Sequence, residues 1–164
     1  MNWLKLLLCI IGCELIGVIG SIFTIPSIPT WYATLAKPFF SPPNWLFGPV
    51  WTILFALMGI SFYVLLEALK KHNKKAHIKI SPLKSKEAKV FYLQLILNIL
   101  WSLIFFGLKM PSVAFAEIIA LWFSIALSIM LFRKVSKRAA WLLVPYIVWV
   151  TIASALNFAI VVLN

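Results

Sequence analysis

The sequence predicts an all-α integral membrane protein, a bundle of five transmembrane helices. Of its 164 residues 63% are hydrophobic and only 12% are charged, whereas a soluble domain is about half apolar and roughly a quarter charged. The apolar residues form five stretches, each near the ~20 residues that a helix needs to cross a bilayer. So few charges cannot cover a water-soluble globular domain of this length.

The apolar stretches, read in chain order, fall at roughly 3–25, 45–68, 90–108, 112–132 and 140–162. In the first, Cys9 and Cys13 lie one helical turn apart, where disulfide geometry is hard to reach, so we interpret them as packing residues. An uncleaved span is expected there rather than a signal peptide, because the apolar run continues to Phe23. No connector is long enough for a soluble domain, which predicts one membrane domain over residues 1–164.

The basic residues lie mainly in two connectors, Lys70–Lys89 and Arg133–Arg138, rather than along the predicted spans. Five spans place these connectors and Lys5 on one side, with 13 of the 15 Lys and Arg residues. The positive-inside rule therefore predicts an N-terminus inside, and the cytoplasmic membrane if the source is prokaryotic. The net charge of +11 is then a topology signal with some contact to membrane lipid, and no nucleic-acid partner is expected.

Small residues recur every four positions in the last two spans, which permits close helix packing in lipid. Packing inside the bundle is favoured over a dimer seam. The residues concerned are Ala116, Ala120, Ser124 and Ser128, then Thr151, Ala155 and Ala159.

Polar side chains inside the spans are candidates for function, because burying them in hydrocarbon is costly. They are Glu14, Asn98, Glu117 and Asn157. A proton relay would need several such groups in line, so we interpret both glutamates as interior acids whose roles stay open.

Metal and haem sites are not expected. Both histidines, His72 and His77, fall in the basic connector, and no His, Cys, Asp and Glu residues have the spacing of a metal site. No bound cofactor is predicted.

Tryptophan is abundant, with eight residues. Those near the predicted helix ends, Trp3, Trp31, Trp45 and Trp141, fit interfacial anchors. Others form helical faces deeper in the spans: Trp51 with Phe55, Asn98 and Trp101 with Phe105, and Trp149 with Ala153 and Asn157. These faces suit an aromatic pocket for a large, planar, weakly polar ligand, and core packing would explain them equally well.

Several blocks of sequence resemble the translocator protein family, also called tryptophan-rich sensory proteins, peripheral-type benzodiazepine receptors or TspO/MBR. The most specific block is Trp31-Tyr32, Lys37-Pro38, Pro42-Pro43-Asn44-Trp45 and Phe47-Gly48-Pro49-Val50-Trp51-Thr52. Further matches are Asn98 and Trp101 with Phe105-Phe106-Gly107, and Trp141 to Tyr146 with Trp149, Leu156 and Asn157.

The resemblance implies a five-helix bundle, often a homodimer, with a pocket for porphyrins, sterols or benzodiazepine-type ligands that opens toward the first loop. The pocket positions it implies are Trp51, Asn98, Trp101, Trp149, Ala153 and Asn157. We expect the loop of Trp31, Pro42 and Pro43 to form an ordered lid, because proline restricts the backbone. Tryptophans at the places of Trp51 and Trp149 are associated in some bacterial members with light-dependent porphyrin breakdown.

The chain departs from the family in two places. It lacks the C-terminal Tyr and basic residue of the sterol motif, ending Val161-Val162-Leu163-Asn164, and it has Glu117 where many members have Asp. The leading hypothesis is a membrane receptor or carrier for porphyrin-like ligands in stress or tetrapyrrole homeostasis. The alternatives are a light-dependent porphyrin-degrading enzyme and a sensor that acts through a protein partner.

Overall fold

Long apolar runs form helices in this protein because backbone N–H and C=O groups in a bilayer must bond within their own segment. The computed structural model describes residues 2–75 and 81–164. Within these ranges there is no strand, and five helical segments are long and apolar enough to cross a membrane. The predicted fold class, an all-α membrane bundle of five spans, is confirmed.

The first three spans extend beyond the predicted stretches. Helix α1 covers Trp3–Ser27. Residues 28–43 form the Pro-rich loop, which contains a short helix α2, Trp31–Thr34. Helix α3 covers Asn44–Lys75, well past the predicted end at 68, because water solvates lysine side chains without breaking the helix. After a short 3-10 turn at Pro82–Lys84, helix α4 covers Lys86–Ser102. His77 and Lys79 lie outside the described residues.

A π-helical turn, Leu103–Gly107, completes the third span. Such wide turns are rare and occur often at functional sites. Here the turn places two neighbouring rings in the core, since Phe105 and Phe106 are both buried. Lys109, with φ 56° in the left-handed region, then reverses the chain.

The last two spans are closely linked. Helix α5 covers Pro111–Val135, and the fifth span is divided into α6, Lys137–Leu142, and α7, Val144–Leu163. Proline begins α5 where its missing N–H needs no partner. The Ser136 side chain caps α6 by accepting a hydrogen bond from the backbone N–H of Ala139 (3.3 Å).

The spans close into a ring. Helix α1 packs between α3 and α4, α5 packs between α4 and α7, and α6 packs on α3. The contact between α1 and α3 is close because Gly59 has no side chain: a Cβ there would lie 2.5 Å from the Ile10 Cα. Glycine at this crossing therefore sets the separation of the first two spans.

The expected stripe of small residues is divided between the core and the surface. Ser124 and Ser128 are buried, but Ala116, Ala120 and Ala155 are exposed. The expectation that the stripe packs inside the bundle is therefore wrong for these three alanines, whereas Ala159 is half-buried. Trp122 on the outer face donates a hydrogen bond to Thr151 Oγ1 (2.9 Å), which joins α5 to α7.

The half of the bundle near the basic connectors has a densely packed core. We call Phe62, Phe91 and Phe132 the phenyl stack; the first two rings are parallel with centroids 4.5 Å apart, and the third lies 5.9 Å from Phe91. Met58 and Leu65 beside it have no exposed surface. This half forms the rigid base of the molecule.

Candidate ligand-binding site

A cavity of about 270 Å³ lies between α1, α3 and α4, in the half of the bundle nearest the Pro-rich loop. Aromatic rings form much of its wall: Phe47, Trp51, Phe55, Trp101 and Phe106. Polar groups are interspersed: Glu14, Ser21, Thr24, Asn44, Thr52, Asn98 and Ser102. Apolar walls with a few polar groups are typical of small-molecule sites.

Helical periodicity places these residues on common faces. Phe47, Trp51 and Phe55 follow one another at intervals of four on α3, so their rings form one continuous surface. The Trp51 and Phe55 ring centroids are 5.5 Å apart. The facing side of α1 presents small residues, Gly17 and Gly20, which leave the space open.

The cavity opens sideways between the first two spans. Val18 and Ile25 on α1, and Gly48 and Thr52 on α3, line it and are themselves exposed. These positions lie within the spans, where the surroundings are hydrocarbon. The lateral side of the cavity is therefore bordered by exposed residues of the spans and not by the Pro-rich loop.

Two hydrogen bonds hold the α4 side of the wall. Asn98 Nδ2 donates to the Tyr146 hydroxyl (3.0 Å), and Trp101 Nε1 donates to Asn157 Oδ1 (3.1 Å). The Asn157 amide in turn donates to the Pro111 carbonyl (2.8 Å). Because these partners are buried, the orientations of Asn98 and Trp101 are fixed before any ligand binds.

The site residues implied by the family resemblance fall into three groups. Trp51, Asn98 and Trp101 line the cavity. Asn157 and Trp149 lie behind its wall, the first bonded to Trp101 and the second packed edge-on against Phe47, with ring centroids 6.1 Å apart.

The remaining implied site residues lie farther from the cavity. Ala153 packs against the core without lining the cavity. Trp31 packs on Phe105, with ring centroids 5.6 Å apart, and the cavity wall does not include it, Pro42 or Pro43. The loop therefore rests on the π-helical turn, beside the cavity.

Tyr32 anchors this loop. Its side chain is 1% exposed and its ring contacts those of Phe47, Phe105 and Phe106. Burial raises the pKa of the Tyr32 phenol, which keeps the ring neutral in its apolar surroundings. The Lys37 ammonium lies 4.6 Å from the ring centroid, in cation–π geometry.

The two membrane glutamates differ in position. Glu14 lines the cavity. Glu117 lies on α5, and both of its carboxylate oxygens are buried without a hydrogen-bond partner in the described chain. Among residues 2–75 and 81–164, no three His, Cys, Asp or Glu side chains come together as metal ligands.

Sequence reasoning missed several wall residues, notably Gly17, Gly20, Phe47 and Phe106. A usable signal existed on α1, where Gly17, Gly20, Ser21 and Thr24 follow a helical spacing of small side chains. Such a face either packs against another helix or borders a space.

The model of the TspO/MBR family matches residues 9–163 of the chain. The chain belongs to the TspO/MBR family. The resemblance identified from the tryptophan-rich blocks is thereby confirmed, and the chain is a multi-pass integral membrane protein.

Relatives match the chain over most of its length. It is 46% identical to tryptophan-rich protein TspO of Archaeoglobus fulgidus, with 100% of this chain and 99% of that protein covered. Identity to tryptophan-rich protein TspO of Chlorobaculum tepidum is 44%, covering 98% and 96%. Human translocator protein is 31% identical, over 92% of this chain and 82% of the human protein. Membership in the TspO/MBR family supports a role as a membrane receptor or regulator.

Proposed function

We propose that this TspO/MBR protein is a membrane receptor or carrier that binds porphyrins and related planar hydrophobic molecules, such as sterols or benzodiazepine-type compounds. It would act in stress responses or tetrapyrrole homeostasis. The observation that supports the proposal most is the aromatic cavity between α1, α3 and α4. The names of its relatives, which include a translocator protein and a tryptophan-rich protein, agree with such a role.

The shape of the cavity favours a flat ligand. Trp51 and Phe55 form one wall on α3, and Trp101 belongs to the facing wall on α4. Aromatic faces attract planar π-systems in offset or edge-to-face contact. At about 270 Å³ the cavity is slightly smaller than most drug-sized pockets, roughly 300–1,000 Å³, so the rest of a macrocycle would lie in the lateral opening between α1 and α3.

The polar groups of the wall give the ligand an orientation. Asn98 uses its amide nitrogen to bond Tyr146, which leaves its carbonyl oxygen as an acceptor for a ligand N–H. Glu14 and Thr52 lie on the wall close to the lateral opening. They would meet polar substituents at the edge of a ring system whose centre lies against the indoles.

The test is a titration of the purified protein with protoporphyrin, haem and a sterol, followed by quenching of tryptophan fluorescence. Trp101→Leu removes a wall residue, and Trp141→Leu is the matched control because Trp141 is exposed and belongs to a different part of the bundle. We expect one ligand class to bind far more tightly than the others. Trp101→Leu should lower the affinity for that ligand, and Trp141→Leu should not. Equal affinity in both variants would contradict the proposal.

Light-dependent porphyrin breakdown is a second candidate function, because Trp51 lies on the cavity wall. Trp149 has a less direct position, since the ring of Phe47 separates it from the cavity. Indole is easily oxidised, so an excited porphyrin against Trp51 has an electron donor beside it. This activity requires product formation under light, which binding alone does not produce.

We also propose a homodimer with the N-terminus inside. The exposed alanines Ala116, Ala120 and Ala155 support a helix contact between copies. Cysteines introduced at Ser41 and at Lys71 test the orientation in intact cells. An impermeant thiol reagent should modify the first and spare the second, and the reverse pattern would exclude this topology.

A further inference from the structure

A second cavity, of about 360 Å³, lies at the other end of the bundle, between the end of α5 and the start of the fifth span. Its walls are Ile129, Arg133, Lys137, Ala140, Trp141 and Val144. None of these residues belongs to the aromatic cavity.

The cavity has a charged rim and an apolar floor. On α5, Arg133 is exposed and Ile129 lies one turn deeper in the span. On the fifth span, Lys137 is exposed, Ala140 is buried, and Val144 lies deeper still. Charge therefore faces the aqueous end of both helices, and hydrocarbon side chains face the membrane interior.

Neither cation of the rim has a partner of opposite charge within the protein. The chain has four acidic residues, all among those described, and neither Arg133 nor Lys137 forms an ion pair with any of them. Two unpaired cations beside one cleft repel each other. An anion bound between them would attract both and so offset this repulsion.

Trp141 indicates the depth of this cleft. The side chain is 71% exposed, an unusual position for an indole unless it lies in the interfacial region of a bilayer. Tryptophan is enriched at the level of the lipid headgroups, where its ring is in contact with acyl chains and its N–H with polar groups.

We propose that this cleft binds one anionic phospholipid, with the headgroup phosphate between Arg133 and Lys137 and an acyl chain along Ile129 and Val144. Basic pockets between transmembrane helices bind acidic headgroups in this way. The apolar floor favours a lipid over a free anion, since inorganic phosphate gains nothing from it. The site is independent of the proposed porphyrin-binding function.

The experiment compares two double variants of the full-length protein. Arg133→Gln with Lys137→Gln removes the rim cations, whereas Lys134→Gln with Arg138→Gln removes the same charge from exposed neighbours outside the cleft. Native mass spectrometry in detergent then measures retention of phosphatidylglycerol and phosphatidylcholine. Each cation near an acidic lipid contributes about fivefold in affinity, so the rim variant should lose roughly 25-fold for phosphatidylglycerol. The control variant should change little.

Three results would overturn the proposal. Equal losses in both variants would mean diffuse attraction by the whole basic end. Equal retention of both lipids by the unmodified protein would mean an apolar groove without headgroup recognition. Displacement of the lipid by millimolar inorganic phosphate would mean a site for free anions.

A second measurement does not depend on the folding of the rim variant. In vesicles, phosphatidylglycerol with brominated acyl chains should quench Trp141 fluorescence more than brominated phosphatidylcholine does. Subtracting the signal of Trp141→Phe isolates this residue among the eight tryptophans. Equal quenching by the two lipids would also overturn the proposal.

Discussion

The two halves of this bundle both contain clusters of aromatic rings but are packed differently. Near the basic connectors, the phenyl stack fills the core, and α1 lies directly against Gly59 of α3. Near the Pro-rich loop, indole and phenyl rings surround an open cavity, and the indole of Trp101 is held by a hydrogen bond to Asn157. Close packing makes the first half a rigid base, while fixed polar contacts in the second half maintain a space that apolar packing alone would close.

The largest expected effect follows from removing the close crossing in the packed half. Gly59→Leu would place side-chain atoms where the Ile10 backbone lies, and a backbone cannot move aside as a side chain can. We expect a cost above the roughly 1–3 kcal/mol typical of overpacking, with loss of the folded protein in detergent. Gly12→Leu on α1 is the control, because no atom lies within 4 Å of a Cβ there. Equal melting temperatures for the two variants would contradict this account of the crossing.

A phenylalanine in each half makes the comparison quantitative. Phe91 is 1% exposed within the phenyl stack, whereas Phe106 borders the cavity. We expect Phe91→Ala to cost about 3–5 kcal/mol, the range for a fully packed ring, and Phe106→Ala to cost less because space already lies beside it. Circular dichroism during thermal unfolding measures both. An equal or larger loss for Phe106→Ala would contradict the looser packing of the cavity half.

The hydrogen bonds of the cavity half can be removed separately. Asn157→Leu would leave the Trp101 N–H and the Pro111 carbonyl without their partner, a cost of about 1–3 kcal/mol. Trp101 would then lose its fixed orientation, so ligand affinity should fall together with stability. Ser154→Ala on the same helix is the control, because that hydroxyl bonds only the Val150 carbonyl of its own helix. Unchanged affinity in Asn157→Leu would show that the bond has no part in shaping the cavity.

The smallest expected effect separates the two tryptophans implied by the family resemblance. Trp51 lines the cavity and Trp149 lies behind Phe47. Trp51→Phe should weaken porphyrin binding by less than about tenfold, since phenyl restores part of the stacking of about 0.5–1.5 kcal/mol. Trp149→Phe should leave binding unchanged.

Illumination adds a second measurement on the same variants. Any light-driven breakdown should nearly vanish in Trp51→Phe, because phenyl is much harder to oxidise than indole. Breakdown at the original rate in that variant would leave Trp51 as a wall residue only.

The sequence was sufficient for the fold class because the apolar stretches and the placement of lysine depend only on the bilayer. For the site, helical spacing placed Trp51 with Phe55 and Asn98 with Trp101 on common faces but left a pocket and core packing equally open. The family resemblance was needed to single out Trp51, Asn98 and Trp101, which line the cavity. Trp149 and Ala153 lie on an equally good face, yet the ring of Phe47 stands between Trp149 and the cavity. That separation depends on how neighbouring helices rotate against each other, which one helix's periodicity does not determine.

The wide turn at Leu103–Gly107 also could not be predicted, because a π-helical turn has no clear residue signature. It changes which neighbouring residues point inward, and so brings both Phe105 and Phe106 into the core. The position of the Pro-rich loop follows from it, since Trp31 and Tyr32 pack on these rings.

The middle of the same loop is joined to the last helix through Asn164. This side chain accepts a hydrogen bond from the Ala36 N–H (3.0 Å) and donates one to the Ala36 carbonyl (3.1 Å), as a neighbouring β-strand would. A further bond to the Ile160 carbonyl (2.9 Å) ties the same amide to α7. The segment beside the cavity is therefore fixed at two places, on the rings of the π-helical turn and on the C-terminal end of α7.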